Sequence, residues 1–109
     1  MLRAGRLRDR IDIEKTRVTR DSRGGETDSW YTLISSAPCA FIQLTGREYY
    51  AAQQEFADVD IRVEMHYHRG VDETCRVKYG GKYYDIVAAI DVDSKHRELN
   101  LMLRKQKNV

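Results

Sequence analysis

The side chains best suited to binding chemistry cluster around Tyr83. Three cations precede it within seven residues: Arg76, Lys78 and Lys82. Aromatic rings interleaved with cations can stack the bases of single-stranded nucleic acid while the charges follow its phosphates. A single-stranded nucleic-acid-binding β-barrel is therefore one function that this sequence allows.

Two further groups have the spacing of metal ligands. His66 and His68 lie two residues apart on one predicted strand face, but zinc needs two more converging ligands and no obvious pair is present. Two aspartate pairs have the spacing of a magnesium-dependent nuclease site: Asp58 with Asp60, and Asp91 with Asp93. No nucleophile elbow, phosphate-binding glycine loop or paired catalytic carboxylate motif accompanies them. The sequence therefore predicts no enzyme, with no catalytic residue, no metal and no cofactor.

The formal charge of +2 hides basic ends and an acidic middle. Residues 1–10 contain four arginines against one aspartate, and residues 95–109 contain five cations against one glutamate. Basic ends can contact nucleic acid, and they can equally dock onto an acidic surface of a partner protein. The charge count alone does not separate these two uses.

Length and composition exclude several classes of protein. With 109 residues, of which 41% are hydrophobic and 33% charged, the chain has room for one core, so we expect a single domain over residues 1–109. No segment approaches the roughly 20 apolar residues that cross a bilayer, and residues 1–10 lack the apolar middle of a signal peptide. We expect no membrane partner and a cytoplasmic origin. Cys39 and Cys75 lie in apolar runs and are predicted to be reduced core thiols.

Alternation of apolar and polar side chains predicts the strands. The predicted strands cover residues 9–15, 29–35, 39–44, 58–68, 74–79, 82–90 and 97–103. Pro38 is predicted to separate two strands or to mark a bend, because proline cannot donate to a ladder. Residues 20–28 have the composition of a loop. In the last strand, the pattern predicts three leucines facing inward and Met102 facing outward.

Gly80 and Gly81 predict a tight hairpin, because a type I′ turn needs positive φ at two consecutive residues. The turn sets a register that brings the apolar residues of both strands to one side. The predicted pairs are Tyr79 with Lys82, Val77 with Tyr84 and Cys75 with Ile86.

The one helix candidate begins after Thr45. Its hydroxyl and the Glu48 side chain have the spacing of a capping box. Residues 46–56 carry no strong apolar stripe, so we expect a short helix or an ordered loop. Together these elements predict an all-β fold, a small antiparallel barrel or sandwich of about six strands with one short helix or ordered loop.

Several segments, taken in order, have the character of one known family. They are residues 5–11, the Gly24-Gly25 pair before Trp30, and residues 40–42, 44–53, 61–68 and 76–86. The most specific is residues 44–53, where a Gly-Arg-Glu segment is followed by aromatic residues and glutamine. The chain thereby resembles the head-tail joining proteins of tailed bacteriophages, which include head-closure (stopper), adaptor and tail-completion proteins. It departs from them at residues 65–68, where an arginine is expected nearer the strand centre, and in its short C-terminal tail.

The resemblance implies a structural virion protein from a phage or prophage. Such a protein forms a hexameric or dodecameric ring below the portal, closes the filled head and presents a surface to the tail. Its implied partners are the portal or adaptor ring, a tail completion or tail tube protein, other copies of itself, and double-stranded DNA that passes without sequence specificity. The implied location is the head-tail connector of the virion, and the host cytoplasm during assembly.

Three sets of residues follow as candidate contacts. A basic arm is expected to dock onto an acidic surface of the portal or adaptor: Arg3, Arg6, Arg8 and Arg10. The segment of residues 46–56 is expected to face the channel or the next subunit: Arg47, Glu48, Tyr49, Tyr50, Gln53 and Gln54. The loop before Trp30 is expected to contact neighbours: Arg23, Gly24 and Gly25. Contact with DNA should be weak, because a strongly basic lining would hold the phosphates of sliding DNA.

Overall fold

The computed structural model describes residues 4–106, and six of its segments are β-strands. The strands and helix are β1 (Asp9–Arg20), β2 (Glu26–Gln43), α1 (Gly46–Glu55), β3 (Ile61–His66), β4 (Cys75–Tyr79), β5 (Lys82–Asp91) and β6 (Glu98–Lys105). They form a closed antiparallel barrel in the order β1-β2-β3-β6-β5-β4. The predicted all-β fold with one short helix is confirmed, and the closure selects the barrel over the sandwich.

Alternating side chains fill the barrel because successive residues of a strand face opposite sides of the sheet. In β3 the buried residues are Ile61, Val63 and Met65, and they lie opposite the inward leucines of β6. Cys39 and Cys75 are free thiols in this core. Burial, reinforced by the nearby Asp9 carboxylate, raises the pKa of the Cys39 thiol to about 12. Both cysteines therefore act as small core residues, as their apolar surroundings predict.

The glycine hairpin forms with two of the three predicted pairs, and its ladder ends at Arg76 and Asp85, before the predicted Cys75–Ile86 pair. Gly80 and Gly81 both have positive φ, at 58° and 79°. Tyr79 pairs with Lys82, and Val77 pairs with Tyr84. The register places the apolar members of both strands in the core, so the turn and the burial pattern agree.

One continuous strand replaces two predicted ones. β2 runs from Glu26 to Gln43 without a break at Pro38, so of the two alternatives predicted there the separation into two strands is wrong. The irregularity lies just before the proline, where the register with β1 shifts and Ser36 has a φ of 54°. The Asp12 carboxylate accepts the Ser36 N–H at 2.8 Å and satisfies the backbone at this bulge.

The β1–β2 hairpin extends beyond the barrel. The predicted loop of residues 20–28 shrinks to five residues, Asp21 to Gly25, because both strands continue toward the tip. Every residue from 17 to 30 is exposed, and we call this segment the arm. The whole molecule measures 51 × 28 × 27 Å. The long dimension reflects a hairpin of which only the base belongs to the barrel wall.

Helix α1 packs on the outside of the barrel. A second small core joins it to the wall and consists of Leu44, Ala52, Val59 and Met102, with Phe56 packed against it. Met102 does point out of the barrel, as its position predicts, but the helix covers it. Thr45 takes the N-cap position without a side-chain cap bond, so the predicted capping box does not form. Within residues 4–106, no helix has the length and apolar character that crossing a membrane would require.

Candidate interaction surfaces

The basic arm, which reaches into the start of β1, is only partly free. Arg3 lies outside the described residues. Arg6 forms an ion pair with the poorly exposed Glu64, with 2.8 Å between Nε and Oε1. Arg8 is exposed and donates to the Gly5 carbonyl at 3.1 Å, and Arg10 is exposed and donates to the Ser36 carbonyl at 3.2 Å. Bonds to carbonyls leave the guanidinium charges unneutralised, so Arg8 and Arg10 are the available cations among the described residues of the basic arm.

The Arg6 pair belongs to a chain of alternating charges. Glu64 also lies 3.4 Å from Arg62, and Arg62 lies 3.9 Å from Glu48 at the first turn of α1. Glu48 therefore faces an arginine of β3 instead of capping its own helix. Two segments that the sequence predicts as separate contact sites, the basic arm and residues 46–56, are brought together on one side of the barrel.

Five predicted contact residues of α1 are exposed to solvent: Arg47, Glu48, Tyr49, Tyr50 and Gln54. Among the exposed large hydrophobic residues, Tyr50 has the highest exposed fraction, 69%. Its ring lies edge to face with the ring of Tyr49, with 5.6 Å between the ring centres. Exposed paired tyrosines are typical of protein interfaces, since each combines a large apolar ring with a hydroxyl. This face of α1 therefore suits a protein contact.

Gln53 has a different environment from its neighbours. Its amide nitrogen donates to the Val59 carbonyl, and its side-chain oxygen accepts the Asp58 N–H at 3.0 Å. These two bonds close the turn after α1, where Asp58 has a positive φ of 63°. The polar side-chain atoms of Gln53 are therefore engaged within the segment itself.

A groove of about 250 Å³ runs along the base of α1. Its floor is apolar, formed by Leu44, Ala52, Phe56 and Met102, and its rim carries Glu48, Glu55 and Arg62. The helix contributes one wall and the barrel the other. The groove adds a concave apolar surface beside the exposed tyrosines.

The predicted loop contacts lie at the tip of the arm. The Asp21 carboxylate accepts the N–H groups of Arg23 and Gly25 at 2.9 and 2.7 Å, and Gly24 has a φ of 80°. The tip comes directly before β2 and α1 comes shortly after it, so the two lie at opposite ends of the same strand. The structure does not bring these two predicted sites together.

A cluster around one arginine, Arg76, lies at the base of the arm, and the sequence pattern does not reveal it. Arg76 forms two short contacts with the Glu14 carboxylate, 2.8 Å from Nε and 2.7 Å from the terminal nitrogen. Its guanidinium also lies 4.0 Å from the ring centres of Trp30 and Tyr83. Cation–π contacts and a two-pronged ion pair both favour arginine. The only sequence signal was the aromatic-basic mixture around Tyr83.

This cluster weakens the case for nucleic-acid binding at the aromatic and basic residues around Tyr83. The Tyr83 ring already carries the Arg76 guanidinium, and the Arg76 charge is balanced by Glu14. A ring face covered by an intramolecular cation cannot stack a base, and a neutralised arginine attracts phosphate weakly. Lys78 and Lys82 remain as cations, beside a Tyr83 ring that already has one face occupied.

The remaining candidates for chemistry lie apart. Within residues 4–106, no three histidine, cysteine, aspartate or glutamate side chains come close enough to hold a metal ion. His66 and His68 are exposed, and His68 bonds to the Arg69 carbonyl. Asp91 accepts the His96 N–H and pairs with the His96 ring, an arrangement that supports the turn before β6.

The fold is thus a small closed barrel whose exposed tyrosines and apolar groove are of the kind found at protein interfaces. A family model described as phage head completion protein matches residues 2–106, and the chain belongs to that family. It is therefore a structural component of a phage-type virion with a role at the head. The resemblance noted in the sequence is confirmed at this level. Among curated proteins, none matches the chain closely enough to count as a relative.

Two solved structures share the fold. The solution structure of protein SF1141 from Shigella flexneri 2a is 21% identical and superposes with a TM-score of 0.79, covering 99% of this chain and 100% of that one. A chain from the virion of a native gene transfer agent particle is 14% identical with a TM-score of 0.54, covering 89% of this chain and 93% of that one. At these identities the similarity establishes the shared barrel, and the family match carries the functional class.

Proposed function

We propose that this protein forms a ring of the head-tail connector below the portal. The ring closes the DNA-filled head and offers the surface on which the tail is attached. Six or twelve copies surround the channel, and double-stranded DNA passes through without sequence-specific contacts. Assembly takes place in the host cytoplasm before the ring becomes part of the virion.

The observation that supports this proposal most is the placement of exposed surfaces on one rigid barrel. The arm projects from one end of β2, while α1 and the basic arm lie toward the other end. A subunit that joins two partners needs separate contact surfaces held at a fixed distance. A closed barrel suits this role because it has no free barrel edge to distort and its core is continuous.

The charge distribution supports a different partner for each of these surfaces. The exposed cations Arg8 and Arg10 suit an acidic surface of the portal or adaptor ring. The exposed tyrosines of α1, with the adjoining groove, suit an apolar contact with the next subunit or the channel side of the ring. The tail completion or tail tube protein would meet the remaining end.

The proposal is tested by incubating the purified full chain with isolated portal rings and imaging the complexes. We expect an additional ring stacked on the portal, with copy number matching the portal or half of it. Absence of any binding, combined with salt-sensitive binding of single-stranded oligonucleotides in a gel shift, would replace the connector function with the nucleic-acid function.

A further inference from the structure

The arm has two strand edges that nothing else in residues 4–106 covers. β4 pairs with β1 only over Asp12–Lys15, and β3 pairs with β2 only over Cys39–Gln43. Beyond these limits the two strands of the arm pair only with each other. Each therefore presents a row of unpaired backbone N–H and C=O groups on its outer side. Long exposed edges are natural sites for pairing with another strand, and proteins usually block them.

The two edges carry opposite charges. The β1 side of the arm contains Arg17 and Arg20 and no acidic residue, whereas the β2 side contains Glu26 and Asp28 and no basic residue. Arg20 and Glu26 form a loose ion pair across the arm at 3.6 Å, and both are largely exposed. Such a pair contributes little by itself. One edge of each molecule thus complements the other edge of an identical molecule.

The geometry of a ring brings these edges together. When copies stand side by side with their arms pointing the same way, β2 of one copy lies beside β1 of the next. Because β1 and β2 run in opposite directions, the new neighbours are antiparallel. This contact is heterologous, and a heterologous contact closes into a ring when the rotation between copies allows it.

We propose that the arms of adjacent copies pair edge to edge, with β2 of one copy against β1 of the next, to form a continuous antiparallel sheet around the ring. The occupant of each edge is thus a second copy of this chain. On the shared face, Glu26 and Asp28 of one copy flank Arg20 of its neighbour. Val18 and Trp30, 58% and 41% exposed in the single chain, lie on that same face and gain side-chain neighbours along the extended sheet. The inference rests on the proposed ring and names the contact that holds it.

Charge reversal in two separate variants tests this pairing. One variant carries Arg17→Glu with Arg20→Glu, so both of its edges are acidic. The other carries Glu26→Lys with Asp28→Lys, so both of its edges are basic. Native mass spectrometry is measured for each variant alone, for their equimolar mixture and for the wild type. All samples are measured as concentrated free chain and again after incubation with portal rings.

We expect the wild type to assemble, each variant alone to lose assembly, and the mixture to regain it with equal numbers of the two variants. Recovery cannot come from repair within one arm, since each chain in the mixture keeps its own like charges. Far-UV circular dichroism of each variant checks the fold. A matched control reverses exposed charges in the β3–β4 loop, with Arg69→Glu and Glu73→Lys, and should assemble as the wild type does.

The pairing is overturned if the single variants assemble like the wild type, if the mixture stays monomeric while the wild type assembles, or if the wild type assembles in neither condition. The proposed connector function fails separately. Rings on the portal that form equally with both variants leave that function standing without arm pairing. Charge-dependent oligomers that never bind the portal leave arm pairing standing without the connector function.

Discussion

Arg76 joins four strands of the barrel wall through a single guanidinium. It lies on β4, pairs with Glu14 on β1, and stacks on Trp30 of β2 and Tyr83 of β5. Because Trp30 stands at the base of the arm, this residue also fixes where the arm leaves the barrel. Arginine suits the position because two nitrogens of its planar guanidinium contact the same Glu14 oxygen, Oε1, while its faces stack on rings.

Replacing Arg76 by lysine should lower the free energy of unfolding by about 1–2 kcal/mol, because lysine keeps the charge but loses the two-pronged pair and the stacking. Urea unfolding followed by tryptophan fluorescence measures the change and also reports the Trp30 environment. The matched control is Lys78→Ala, whose ammonium lies 5.8 Å from the Tyr83 ring centre and should matter by less than about 0.5 kcal/mol. Equal losses in both variants would contradict the role of Arg76.

Tyr79 makes a pH-dependent contribution at the start of the barrel seam between β1 and β4. Its hydroxyl donates to the Asp9 carboxylate at 3.0 Å. That bond, helped by partial burial, raises the pKa of Tyr79 above its ordinary value of 10.0. Since the folded-state pKa is the higher one, the stabilisation is complete below pH 10 and disappears as the pH rises through the raised pKa.

Tyr79→Phe should therefore cost about 1 kcal/mol of stability near neutral pH, and the difference from the wild type should shrink at strongly alkaline pH. Urea unfolding at both pH values measures this. Tyr50→Phe is the control, because Tyr50 is the exposed ring of α1 and its loss of a hydroxyl should change stability at neither pH. A Tyr79 difference that stays constant with pH would rule out the bond to Asp9 as its cause.

At the scale of elements, α1 depends on the bonds that close its C-terminal turn. Its length of ten residues is short for a helix that must be stable alone, and its packing rests on few apolar side chains. Gln53 holds the chain after the helix by bonds to Val59 and Asp58, whereas the adjacent Gln54 points to solvent. The two glutamines therefore form a natural comparison.

Gln53→Ala should lose about 1–2 kcal/mol of stability in the local unfolding of residues 46–60, because two backbone groups lose their partners. Amide hydrogen exchange should show faster exchange in that segment while the barrel strands keep their protection. Gln54→Ala should leave exchange unchanged, since alanine favours helix at an exposed position. Similar exchange in the two variants would show that Gln53 does not support the segment.

At the scale of the whole molecule, the docking of the basic arm should depend on the cations that are not already paired. Arg8→Glu combined with Arg10→Glu should abolish co-purification with portal rings and leave the barrel intact. Arg6→Glu is a less direct test, because it also places a carboxylate beside Glu64 and disturbs the charge chain to α1. Unchanged co-purification of the Arg8 and Arg10 variant would show that the basic arm is not part of the docking surface.

Local features of the fold were predictable because their causes are local. Alternating residues identify β3 and β6, and the positive φ demanded by a two-residue turn identifies the Gly80-Gly81 hairpin and its register. The order of family motifs identified the family and its structural role. The position of a short helix after Thr45 followed from composition, although the capping bond that suggested it does not form.

Contacts between distant residues were decided by the tertiary structure. Trp30 meets Arg76, and Gln53 turns inward beside the outward Gln54, because strand pairing and helix packing place them so. The continuous strand through Pro38 and the projecting arm depend on where β3 and β4 stop pairing. A sequence pattern records which face of an element is apolar, whereas its partners across the barrel depend on long-range register. For this protein the sequence alone determined a small antiparallel all-β fold of about six strands and its family. Only the tertiary structure decided that the sheet closes into a barrel and which charged and aromatic side chains remain free to bind.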